Sequence, residues 1–121
     1  MSFDNGLKAS FSLPAGADLT GKQFHAVVVN SSGNAAAAGA NALSAGILQN
    51  KPNTGQPATV CYDGVSKAAI GATVAAGAKL TTDAAGKLVT ATTGQAVVGI
   101  ALAGGAVNEI IPVLMTRVAL G

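Results

Sequence analysis

Short runs of apolar, often β-branched residues alternate along the chain with clusters of Gly, Asn, Asp and Ser, a pattern that predicts strands joined by tight turns. Phe24-His25-Ala26-Val27-Val28-Val29 reads as a strand that ends in the turn cluster Asn30-Ser31-Ser32-Gly33. Ala58-Thr59-Val60-Cys61-Tyr62 runs into Asp63-Gly64 and then Val65-Ser66-Lys67-Ala68. An Asp-Gly pair between apolar runs predicts a hairpin, because Asp-Gly suits the positive φ that a type I′ turn needs at both central residues. Residues 79–82 and 87–90 flank Asp83-Ala84-Ala85-Gly86 as a second hairpin, with Gly86 at a left-handed position. Residues 97–102 and 109–115 supply the last pair of strands. Pro112 has no N–H to give a ladder, which predicts an edge or a bulge there. Helix is confined to residues 35–45, where Gly39 interrupts and no apolar face repeats, so at most a short turn is expected.

The chain also resembles itself. Sliding it by 53 positions without gaps puts Gly33 on Gly86, Ala38 on Ala91, Gly46 on Gly99, Ile47 on Ile100 and Val60 on Val113. Turn clusters fall on turn clusters and strand-like runs on strand-like runs. Residues 24–62 and 77–115 therefore read as two copies of one β unit, related by a pseudo-twofold and closing into a small barrel or sandwich. The expected fold class is all-β.

The first sixteen residues differ in pattern and read as an N-terminal arm ahead of a β domain over 17–121. Phe3, Leu7 and Phe11 recur at a spacing of four, with polar residues between them, and Pro14-Ala15-Gly16 ends the segment. Helical or extended, the three side chains are anchors for a partner, or tethers of a frayed terminus.

Composition changes the picture in one respect. Half of the 121 residues are hydrophobic, yet Ala is the largest share, with 16 Gly, 3% aromatics and no Trp. One domain fits the length, but few bulky side chains are present to fill a thick core. Close packing of small residues, or burial against a partner, has to supply the difference. Net charge is +2 with scattered lysines, so nucleic acid finds no basic stripe. Residues 88–108 carry no charge and reach the length of a membrane span, but their Thr, Gln and Gly-Gly content fits two strands around a turn better. A secretory signal is not expected from Met1-Ser2-Phe3-Asp4-Asn5-Gly6. Cys61 is the single cysteine, which excludes an intramolecular disulfide and reads as a small buried hydrophobe.

No catalytic constellation emerges. Gly16-Ala17-Asp18-Leu19-Thr20-Gly21-Lys22 matches seven positions of a phosphate-binding loop, but Gln23 stands where a Ser or Thr hydroxyl would hold Mg²⁺. A turn before a strand is the better account. His25 is the only histidine and has no Cys cluster beside it, so no metal site is expected. The acids Asp4, Asp18, Asp63, Asp83 and Glu109 are dispersed, and no nucleophile elbow is present for a serine triad. No cofactor and no enzymatic activity are expected.

One ordered set of segments is recognisable: Gly46-Ile47-Leu48-Gln49-Asn50-Lys51-Pro52, then Gly55, Ala58-Thr59-Val60, residues 75–81, Gly86-Lys87, residues 98–102 and residues 110–114. Upstream, residues 18–27 belong to the same set. It resembles the capsid decoration (cement) proteins of tailed bacteriophages over about residues 17–115. The resemblance implies a small β-rich protein, made in the bacterial host cytoplasm, that binds the outer surface of an icosahedral head and stabilises it. It implies the major capsid protein as partner and a homo-oligomer, a trimer favoured, with neither nucleic acid nor membrane bound. Phe3, Leu7 and Phe11 are then expected to contact the capsid, an assignment that rests on their spacing and position alone. A phage head-fibre or tail-associated β module is the alternative with the same small-residue composition.

Overall fold

The computed structural model describes the backbone of residues 8–119 and the side chains of residues 10–115. Its nine strands are β1 (Lys8–Pro14), β2 (Ala26–Val29), β3 (Ala35–Ala37), β4 (Gly46–Leu48), β5 (Pro57–Ala69), β6 (Lys79–Thr82), β7 (Leu88–Thr90), β8 (Ala96–Ala101) and β9 (Ile110–Ala119). They pair antiparallel in the order β3-β2-β4-β5-β9-β8-β6-β7, with β1 also on β5. No helix occurs among the described residues. The fold is all-β and of the small-barrel kind.

Its architecture follows from β5, a strand of 13 residues that serves two lobes in turn. The first half of β5 pairs with β4 and β1, from Ile47↔Cys61 to Leu13↔Ala58. Its second half pairs with β9, from Gly64↔Met115 to Ala69↔Ile110. The first lobe therefore runs β3-β2-β4-β5-β1, and the second runs β7-β6-β8-β9-β5. Each lobe curls until its ends meet. Ala15, just after β1, makes a parallel bridge to Ala35 in β3, and Ile70, just after β5, makes one to Leu88 in β7. Closure of this kind leaves little exposed ladder in either lobe.

The repeat is present pair by pair. Val27↔Ala37 in the first lobe becomes Leu80↔Thr90 in the second, Ala26↔Ile47 becomes Lys79↔Ile100, and Leu48↔Val60 becomes Ala101↔Val113. Turns follow the same offset of 53. The Asn30 side chain accepts from the Ser32 and Asn34 amides, as Asp83 accepts from Ala85 and Lys87. The unit is also longer than its sequence suggests. Strand β1 is the counterpart of the second half of β5, with Leu13↔Ala58 matched by Ala68↔Ile111. Here the offset is 55, because the segment between Ala15 and Phe24 is two residues longer than that between Ile70 and Gly77. Residues 8–14, expected as part of an arm, thus pair along a lobe as one of its strands.

Two local expectations are corrected. Asp63-Gly64 makes no hairpin. Only Gly64 of the pair has positive φ, +87°, so the I′ geometry is not formed and the chain continues as β5. The register against β1 slips between Ala9 and Ser10 at this point, which marks the passage from one lobe to the next. Pro112 is neither at an edge nor in a bulge, since β9 lies between β5 and β8. Leu102 donates to the Pro112 carbonyl (3.0 Å) just beyond the end of β8. In a strand, the N and O of one residue face the same neighbour, so the missing N–H falls where β8 has already ended.

Each lobe is filled by equivalent positions. Ala15, Leu19, Val27, Ala35, Leu48, Ala58 and Val60 form the first core. Their counterparts Ile70, Val74, Leu80, Leu88, Ala101, Ile111 and Val113 are all buried in the second. The second set is bulkier, and the first lobe makes up the difference with Phe11 and Leu13, where the second has Ser66 and Ala68. Both cores are thus closed with few large side chains. Gly46 and Gly99 hold the same place, where a Cβ would collide with the Cys61 and Leu114 carbonyls respectively.

Candidate functional site

Phe11 sits on β1 opposite Val60, half-buried, with its ring centroid 5.6 Å from that of Tyr62. Phe3 and Leu7 lie outside the described residues. The segment resembling a phosphate loop follows β1 and leads through turns into β2, with no helix after it. Leu19 of that segment is in the first core, and Lys22 Nζ donates to the Ala85 carbonyl (3.4 Å) across the lobes. Asp18 accepts from the Thr20 hydroxyl (2.7 Å) and amide (3.0 Å), which hold its carboxyl below the usual 3.8. His25 Nδ1 lies 3.1 Å from the Gln23 carbonyl, and Cys61 is buried with its thiol 3.3 Å from the Asp63 carbonyl. Among the described residues no three His, Cys, Asp or Glu side chains gather as a metal site would require. A cleft of about 240 Å³ lined by Ser12, Leu13, Pro14, Gly55 and Pro57 contains no titratable side chain.

The informative geometry lies between the lobes. Ala26 N–H donates to the Gly86 carbonyl (2.7 Å), Asn41 N–H to the Thr82 carbonyl (2.9 Å), and Ala42 N–H to Thr82 Oγ1 (2.9 Å). Thr82 Oγ1 in turn donates to the Gly39 carbonyl (2.6 Å), and Ala96 N–H donates to Asn41 Oδ1 (2.8 Å). Ala26, Ala38, Ile47 and Cys61 join Val98 and Met115 in the same buried cluster. The first lobe thus presents the surface around β2, β4 and the 38–42 segment. The second presents the β6–β7 hairpin and the start of β8.

These two surfaces are not equivalent within the repeat. A twofold would mirror the Ala26–Gly86 contact as one between Lys79 and Gly33, yet both of these residues are exposed. The expected pseudo-twofold is therefore corrected: the lobes are related head to tail, with one face of the unit meeting a different face of its copy.

Sequence reasoning missed the surface consequence. Val29 (50% exposed), Leu43 (71% exposed) and Tyr62 are counterparts of Thr82 (2% exposed), Ala96 and Met115, which lie at the junction of the lobes. Leu114, exposed on β9, is the counterpart of buried Cys61. Ile110 and Pro112 share its outward face, with Leu102 beside Pro112. The offset of 53 was the signal available, but it becomes informative only when burial is known at one member of each pair.

Compared with known proteins, the chain matches no protein-family model and no curated protein. Among solved structures it is similar to the N-terminal base of the head fibre protein gp8.5 of bacteriophage phi29, at a TM-score of 0.72 and 17% identity. The match covers 94% of this chain and 98% of that one, so the two share a fold over essentially their whole length.

Proposed function

We propose that this chain is a structural, non-enzymatic protein of a tailed-phage virion, carried on the outside of the head as the base of a head fibre. The observation that carries the reading is the likeness in fold, end to end, to a head-fibre base. Exposed apolar side chains on both lobes supply contact surface of the kind an assembled part needs.

A capsid-stabilising decoration protein is the second reading, favoured by the sequence segments from Gly46 to Pro52 and onward. In it the major capsid protein is the partner, and Phe3, Leu7 and Phe11 reach the head.

Purified protein is mixed with heads of the encoding phage that lack it, and the particles are sedimented and reconstructed. Density for the protein on the outer surface is expected; its absence from the particles would overturn both readings. Copy number separates them, with hundreds per head for decoration and fewer for fibre bases. Added protein should raise head resistance to heat only in the decoration case.

A further inference from the structure

Asp63 and Gly64 stand where β5 passes from one lobe to the other. The Asp63 side chain is turned back on its own backbone, and its Oδ1 accepts from the Gly64 amide at 2.9 Å. That contact also brings the amide nitrogen up to the side-chain carboxyl carbon, Cγ, to which Oδ1 is bonded. We propose that Asp63 is a site of backbone modification, converting to isoaspartate through a cyclic succinimide while the chain is folded.

The step needs no partner but water. With the carboxyl in its acid form, the Gly64 nitrogen bonds to Asp63 Cγ, and the amide hydrogen leaves with the carboxyl hydroxyl as one water. A second water then opens the ring. Cleaving the bond from nitrogen to Cγ restores aspartate. Cleaving the bond from nitrogen to the main-chain carbonyl carbon leaves the chain running through Cγ, one methylene longer, with a carboxylate at the old main-chain position. Nothing is oxidised or reduced.

The surroundings single out this residue. Gly64 has no side chain to crowd the approach, and its φ of +87° takes the backbone out of regular strand geometry. The Cys61 thiol donates to the Asp63 carbonyl (3.3 Å), the other end of the peptide group whose nitrogen attacks, and so fixes the plane of that group. Asp63 is exposed, so water reaches the ring. The register against β1 slips between Ala9 and Ser10 at this point, which gives the longer backbone room on that side. Asp18 and Asp83 lack the arrangement, because they accept from the Thr20 amide and from the Ala85 and Lys87 amides, all farther along the chain. Asn53 Oδ1 does accept from the Thr54 amide (2.7 Å), but a β-branched side chain there crowds the nitrogen. The modification stands on the geometry of β5 and holds whether or not the chain is carried on a head.

The test incubates the full chain, folded, in mildly acidic heavy-oxygen water beside the same chain unfolded in urea. Peptides are read by electron-transfer mass spectrometry, which separates isoaspartate from aspartate. Isoaspartate carrying one heavy oxygen is expected at residue 63, forming no slower in the folded chain than in the unfolded one. Conversion that is absent from the folded chain, or slower in it, would overturn the proposal. Asp63→Asn should reach the same ring by losing ammonia and yield a mixture of aspartate and isoaspartate while folded; an asparagine that persists there would overturn it too. Asp63→Glu keeps the charge but has to close a larger ring, so label and isomer should both be lost from this peptide. A label that survives in Asp63→Glu would assign the chemistry to another residue and sink the proposal.

Discussion

Val29 and Thr82 hold the same position in two copies of one β unit, and the valine lies half exposed where the threonine is sealed against the opposite lobe. The difference is chemical as well as steric. Thr82 Oγ1 donates to the Gly39 carbonyl and accepts from the Ala42 amide, two groups that turn away from their own lobe.

Neighbouring threonines should therefore respond in opposite directions to the same change. Thr82→Val removes the hydroxyl that the Ala42 amide and the Gly39 carbonyl share at the lobe junction and should destabilise by about 1–3 kcal/mol. Thr81 Oγ1 is buried without a partner among the described residues, and its counterpart is Val28. Thr81→Val should be neutral or stabilising by up to about 1 kcal/mol, since an unsatisfied hydroxyl is removed. Urea denaturation of both variants reads the signs directly.

The paired turns offer a second contrast. Gly33 and Gly86 have φ of +79° and +82°, so alanine at either is strained by about 1–2 kcal/mol. Gly86 alone is packed under the Ala26 and Ala38 carbonyls, at 3.1 and 3.3 Å from a would-be Cβ. Gly86→Ala should cost more than Gly33→Ala, and equal losses would mean that the lobes do not press on this turn.

Leu80 and Leu48 fill different lobes and are both fully buried. Either change to Ala should cost about 2–5 kcal/mol. Because the lobes share β5 and a buried seam, each substitution should shift one common unfolding transition. Two separated transitions in calorimetry would show that the lobes melt independently.

Asp18 gives a pH-dependent signature. Its hydrogen bonds from Thr20, the hydroxyl first and the amide second, favour the carboxylate and lower its pKa in the folded chain. The stability it contributes is full above the ordinary value near 3.8 and is lost as pH falls through the lowered one. Carbon-detected NMR titration should place its midpoint below 3.8, and Thr20→Val should bring it back toward that value.

Much of this fold was legible from residue patterns because turns punctuate it. Asn30–Gly33 and Asp83–Gly86 carry their own capping side chains, so the hairpins and the offset of 53 could be read locally. What stayed hidden required distance. Asp63-Gly64 has the composition of a hairpin, and the strand runs on through it because Asp63 and Gly64 pair with Ala9 and Lys8 of β1 and Gly64 and Val65 with Met115 and Leu114 of β9. The kinship of β1 with the second half of β5 is concealed by two extra residues and by dissimilar side chains, Phe11 against Ser66. The exposure of Val29, Leu43 and Tyr62 was invisible because they are ordinary core-type residues until the chain is folded.

Strand β5 also sets which sequence changes the molecule can accumulate. The segments from Ala15 to Phe24 and from Ile70 to Gly77 already differ in length by two residues, so insertions there are absorbed by loop. A single residue gained or lost at Val65, where β5 pairs with β9 in unbroken register, has no such outlet: everything beyond it would swap faces, carrying Ser66, Ala68 and Ile70 out of the second lobe. The two halves of the gene are therefore free to diverge by substitution, yet are locked in reading register by one uninterrupted stretch of backbone.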